Sequence, residues 1–246
     1  MHTLTRIGRS IFAIGMIALG FLSIIVKNFI VGRPPLSAGD FTMNPALSYF
    51  AATVLIIAAL LIILRKKIRT AAFLIALLIM VFSLSRHALA GFADWLNTYK
   101  CLALAGGALI IGTSFSGDTS KNIFTWAGRI ALAIFFIAGG YAHFKFADFV
   151  VSFIPEYIPF RSFWAYFCGV CLIAGGIGIL IPKTVRLAAL LSGIMIGGWF
   201  VLLHIPRFIN NVNDASDRMG LLESFTFAGI FFALAGMFSK KNKEAQ

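Results

Sequence analysis

The sequence predicts an all-α polytopic membrane protein, a helical bundle of about eight transmembrane helices built as two parallel four-helix repeats. Composition is the first reason: hydrophobic residues make up 60% of the 246, charged residues only 12%, and the mean hydropathy is +0.93, far from the balance of a soluble domain. The second is spacing, because apolar runs of roughly 20 residues, the length that spans a bilayer, follow one another through short connections. The third is self-similarity, since the chain can be laid on itself at a nearly constant offset.

Taken in order, the predicted spans are 6–31, 45–64, 68–90, 98–115, 123–145, 161–181, 184–205 and 221–238. The first begins behind Arg6 and Arg9 like a signal sequence, but it runs to about Val31 without a small-residue cleavage site and is read as a retained helix. Tight connections at Arg65–Ile68, Ser116–Asn122 and Pro182–Lys183 make their flanking helices antiparallel neighbours and the number of spans even. Of the 21 Lys and Arg, 13 fall on the side that holds both termini (among them Arg6, Arg9, Arg65, Lys66, Lys67, Lys121, Lys183 and Lys240) and 8 on the other. By the positive-inside rule both termini are cytoplasmic, in the inner membrane of a bacterium. The net charge of +12 is accordingly read as topology signal and contact with anionic lipid, with no nucleic acid as partner.

The repeat sets the architecture. Gly8-Arg9 aligns with Gly128-Arg129 and Gly20-Phe21 with Gly140-Tyr141 at an offset of 120; Tyr49-Phe50, Arg69 and His87 align with Tyr166-Phe167, Arg186 and His204 at 117; Ala105-Gly106 aligns with Ala228-Gly229 at 123. The units are residues 1–118 and 119–246. An even number of spans in each makes the repeats parallel rather than inverted. Glycines such as Gly106-Gly107, Gly175-Gly176, Gly178 and Gly197-Gly198 would let helices approach closely.

Ionisable residues in membrane segments are the default functional candidates. His87, His143 and His204 are predicted at one depth near the outer interface, with Arg86, Lys100, Arg207 and Glu223. The aligned pair His87 and His204 would either ligate a haem iron or hydrogen-bond the carbonyls of a quinone. The plainer alternative makes each histidine a cap on a carbonyl freed at its helix end, for which Pro206 after His204 supplies a reason. Arg86 and Arg207 would orient a polar or anionic group. Lys100 opposite Glu223 would form an ion pair between the halves, or each would be solvated at the surface.

Cys168-Gly169-Val170-Cys171 has the spacing of a redox thiol pair, but the aligned residues are Ala51 and Val54, and a buried cysteine also serves as a small hydrophobe. With Cys101 the chain has three cysteines, all in or beside apolar runs, which is no disulfide framework. Tight metal-ligand spacing, a P-loop and a dinucleotide fingerprint are all missing from the sequence. The hydrophobic stretch 146–160, bent by Pro155 and Pro159, is expected to lie in the interface as the lid of a pocket, with Phe146 and Phe149 toward lipid or bundle and Asp148 toward water.

In the second half, His143-Phe144, Phe149, Pro155, Pro159 and Gly169 come first. The run Gly175 to Pro182, then Arg186-Leu187-Ala188-Ala189 and His204-Ile205-Pro206-Arg207, follow in the order that resembles the DoxX-like membrane protein family. The likeness covers about Gly128 to Gly236, and the first half shares it through Gly8-Arg9, Arg69 and Arg86-His87. It implies a four-helix membrane unit, here doubled, and a place in quinone-linked redox metabolism such as some members have as oxidoreductase subunits. Many members carry a glutamate just after the motif glycine; here Val170, Cys171 and Leu172 follow Gly169, so no catalytic residue is carried over. Two alternatives stand beside a redox role: a nonenzymatic scaffold or accessory subunit of a membrane complex, and a small-molecule transporter. The transporter lacks the midplane charges and broken helices that coupled transport uses.

Overall fold

A computed structural model describes residues 3–32, 44–115 and 122–239. Among these residues every regular element is helical. The helices are α1 (Thr3–Ile25), α2 (Pro45–Ile63), α3 (Ile68–Leu89), α4 (Trp95–Thr113), α5 (Ile123–Lys145), the short α6 (Ala147–Phe153), α7 (Arg161–Leu180), α8 (Val185–Asn210) and α9 (Ala215–Met237). Two of them are not uniform: α3 contains a π turn at Ile79–Ser83 and α8 one at Phe200–His204.

Seven of these helices, all but α4 and α6, are long and apolar enough to cross a membrane, so the chain is a multi-pass membrane protein whose surroundings are a lipid bilayer. The fourth expected span, 98–115, corresponds to α4. Its first turns hold Asn97, Thr98 and Lys100, which dilute its apolarity, and it is largely buried against other helices rather than facing lipid.

Short polar side chains start several helices. Asn44 accepts from the Ala46 amide ahead of a helix that opens on Pro45, Asn122 accepts from Phe124, and Asp94 from Asn97. Asp214 accepts from the Asp217 amide at 2.8 Å, so α9 begins at Ala215 rather than near 221. Its polar opening turn is invisible to a search for apolar residues but fully helical. The Ser116–Asn122 connection except Asn122, the boundary at 118, and Lys121, Lys240, Lys241 and Lys243 lie outside the described residues.

The most extensive contacts join α1 to α9, α4 to α5 and α5 to α7. Glycine permits the first two. A Cβ on Gly229 would lie 2.8 Å from the Gly8 carbonyl oxygen, and one on Gly106 would lie 3.0 Å from the Gly128 Cα, so neither crossing has room for a side chain. Gly20 lies against Ile56 and Gly140 against Ile173 in the same way, each with 2.6 Å to the neighbour from an added Cβ. Near the start of α1, Arg9 donates through Nη2 to the Ser114 carbonyl at 3.0 Å and lies 3.5 Å over the Phe115 ring. Near the start of α5, Arg129 donates through Nε to the Ile179 carbonyl at 2.7 Å and lies 5.2 Å from the Phe238 ring. Between these layers the core is filled by Phe12, Met16, Leu19, Ile75, Phe136 and Phe231, all fully buried.

Candidate functional site

The end of the bundle where α5 passes into α6 holds a cavity of about 340 Å³. Its wall combines His143 from α5, Phe149 and Phe153 from α6, Trp164 and Cys168 from α7, Trp199 and His204 from α8, and Ser224 from α9. The 146–160 stretch thus contributes a helical wall to this cavity. Ile154 is buried, while Phe146, Asp148 and Phe149 are exposed.

His143 is oriented by its own helix. Its Nδ1 is 2.8 Å from the Gly139 carbonyl oxygen, four residues earlier. A carbonyl can only accept, so Nδ1 carries the proton and Nε2 is the acceptor of the neutral ring. His204 packs on α9 where Gly220 leaves room: a Cβ there would lie 2.9 Å from His204 Nδ1. Arg207, Asp217 and Lys100 are the charged groups near enough to act on it.

The strap around α6 is fastened at two points. Arg207 pairs with Asp217, Nε to Oδ1 at 2.7 Å, donates through Nη1 to the Phe153 carbonyl at 3.4 Å, and lies 4.1 Å over the Phe153 ring. The Tyr157 hydroxyl donates to the Leu202 carbonyl. In a regular α-helix that carbonyl would look to residue 206, but Pro206 has no N–H. Tyr157 thus supplies a donor to a carbonyl four residues before the proline, within the π turn of α8.

A second, longer space of about 870 Å³ runs between α7 and α8, and it shares Trp164, Cys168, Met195 and Trp199 with the cavity. Its other walls include Cys171, Gly178, Leu191, Ser192 and Gly198. At the junction Trp199 Nε1 donates to Cys168 Sγ at 3.0 Å. The tryptophan pair Trp164 and Trp199, with rings 6.1 Å apart and nearly perpendicular, lines both spaces where they meet.

His143 and His204, expected together, do line one cavity, and Cys168, not expected beside them, lines it too; Cys171 faces the groove. His87 is buried in α3 and lines neither space. The structure therefore does not assemble the His87 and His204 pair around a haem or a quinone, because α3 and α8 present these residues to different surroundings. Arg86 is also committed, with Nη1 donating to the Phe29 carbonyl at 2.7 Å. Lys100 and Glu223 do form their ion pair, at 2.6 Å, and Glu223 also accepts from the Gly32 amide at 3.1 Å. Among the described residues no group of three or more His, Cys, Asp or Glu is arranged to hold a metal ion. Sequence reasoning missed Trp199, Tyr157 and Ser224. Only Trp199 carried a signal, as a tryptophan inside an apolar run rather than at a helix end.

Residues 132–219 match the model of a family described as a domain of unknown function, DUF8561. That stretch contains the whole cavity lining except Ser224. No curated protein and no solved structure matches the chain.

Proposed function

We propose that this chain is a duplicated DoxX-like protein of the bacterial inner membrane, with both termini cytoplasmic, that binds a quinone or its reduced form in the cavity beside α6 and serves quinone-linked redox metabolism. What carries it is the convergence of two imidazoles on one small space whose other walls, Ser224 and Cys168 apart, are apolar and aromatic. Such a space suits a planar ring with one or two polar atoms: apolar walls accept the ring, and a few placed polar groups orient it. His143, with Nδ1 held by Gly139, offers Nε2 to the hydroxyl of a hydroquinone. His204 is the second polar contact at the same level. The duplication is supported by the matched crossings of Gly8 with Gly229 and Gly128 with Gly106, and of Gly20 with Ile56 and Gly140 with Ile173. The orientation is supported by the 13 to 8 division of basic residues.

The test is a solvent extract of the protein purified in its native lipid, analysed by mass spectrometry beside His143→Ala and His204→Ala. Quinone enriched over the surrounding membrane in the native protein, and lost in both variants, is the expected result. Equal quinone in all three, or none in any, sinks the proposal and leaves an accessory subunit whose histidines only pack.

A further inference from the structure

Building on the proposed quinone site, we infer that the groove between α7 and α8 holds the long apolar tail of the same molecule, so that the ligand is a lipid-borne quinone that enters sideways from the bilayer. Two observations carry this. The groove adjoins the ring cavity, with four wall residues in common, Trp164, Cys168, Met195 and Trp199. From Trp164 to Ile181 it follows about 25 Å of α7 by helical rise, far beyond the reach of a ring alone.

The second observation is what the groove lacks. At the offset of 117, Gly198 stands where the first half has Val81, Gly178 where it has Leu61, and Ser192 where it has Ile75. All three smaller residues line the groove. Gly178 is spent on close packing, since a Cβ there would lie 2.7 Å from the Ala188 Cβ. Gly198 is not: a Cβ there would meet nothing within 4 Å. No packing demand explains that glycine, whereas a chain lying in the groove does.

Hydrocarbon surrounds the protein, so a tail gains little hydrophobic free energy by leaving the bilayer for the groove. The groove supplies an unobstructed path, which makes obstruction the right experiment. Binding of a decyl-substituted benzoquinone and of the same ring bearing only a methyl group is measured on the whole protein in nanodiscs, for the native chain, Gly198→Leu and Leu191→Trp. Leu191 is an exposed groove residue two helical turns from Gly198. Each variant is expected to weaken the decyl ligand about tenfold and to leave the methyl ligand within about twofold. Retained binding of the methyl ring also reports that the variant is folded, and Leu191→Trp decides the matter if Gly198→Leu does not fold. Both ligands unchanged would mean that ordinary acyl chains occupy the groove, and both weakened alike would mean a distorted cavity; either result overturns the tail site. If the native chain binds neither ligand, it is the ring site that has failed.

Discussion

Ser23 near the end of α1 and His143 near the end of α5 stand 120 residues apart, and each bonds the carbonyl four residues earlier, Ser23 Oγ to Leu19 and His143 Nδ1 to Gly139, both at 2.8 Å. Beyond that point the two regions part. After Ser23 the chain turns inward: Phe29, Ile30 and Val31 are fully buried, the Ile30 amide donates to Ser23 Oγ at 3.3 Å, Arg86 holds the Phe29 carbonyl, and the Gly32 amide reaches Glu223. After His143 the chain forms α6, stays near the surface and leaves a cavity beneath it. A small hydroxyl lets the connection fill the end of its bundle with its own side chains. At His143 an imidazole stands instead, and it lines the space that the connection leaves open.

The two connections differ most in what their aromatic residues hold up. Phe29→Ala should cost about 4 kcal/mol by opening a hole in a filled region, while Phe153→Ala, partly exposed, should cost about 1 kcal/mol; unfolding in mixed detergent measures both, and equal losses would break the comparison. Glu223→Ala should cost about 3 kcal/mol, because Lys100 would be left nearly buried without its partner and the Gly32 amide without its acceptor. Glu223→Gln, keeping the acceptor, should recover part of the loss. Exchanging the two deciding residues sharpens the point further. Ser23→His should destabilise by about 2 kcal/mol through overpacking at a fully buried site, and His143→Ser should change stability by under about 0.5 kcal/mol, since it only enlarges an existing space. The smallest effect is chemical. A membrane-permeable maleimide should label Cys171, which faces the groove, well before Cys101, which is fully buried; peptide mass spectrometry reads the order, and early labelling of Cys101 would show the first half to be the looser one.

The fold class was legible because lipid imposes it: a run of apolar residues long enough to cross must be helical to satisfy its backbone. Of the glycine crossings, the Gly106 side was legible as a small residue in an apolar run, whereas Gly8, Gly128 and Gly229 stand out in the sequence only as positions that align. Helix ends were less so. The first turn of α9 is polar, and only the bond from the Asp217 amide to Asp214 makes it part of the helix. At the site, His143 and His204 could be placed at one depth by counting along their helices. Counting cannot give rotation about a helix or the separation of helices, and it put His87 beside His204 when α3 buries it elsewhere. The cavity itself was hidden, because a space is defined by what five separate elements leave between them. The adjoining groove was present in the sequence only as small residues such as Gly198, visible once Val81 is laid alongside.

The π turns of α3 and α8 have a consequence for inheritance. Each places an arginine three residues beyond its last residue, Arg86 after Ser83 and Arg207 after His204, and each arginine reaches the carbonyl of a phenylalanine in the connection from another helix, Phe29 or Phe153. A π turn accommodates one residue more than an α turn. Removing one codon from the Phe200–His204 stretch would relax it and swing the rest of α8 by about 100°, carrying Arg207 away from Asp217 and Phe153 at a stroke. The angular phase of each arginine thus hangs on a single-residue insertion, which substitution alone cannot undo, and lineages of this chain should tolerate changes of residue type there far more readily than changes of length.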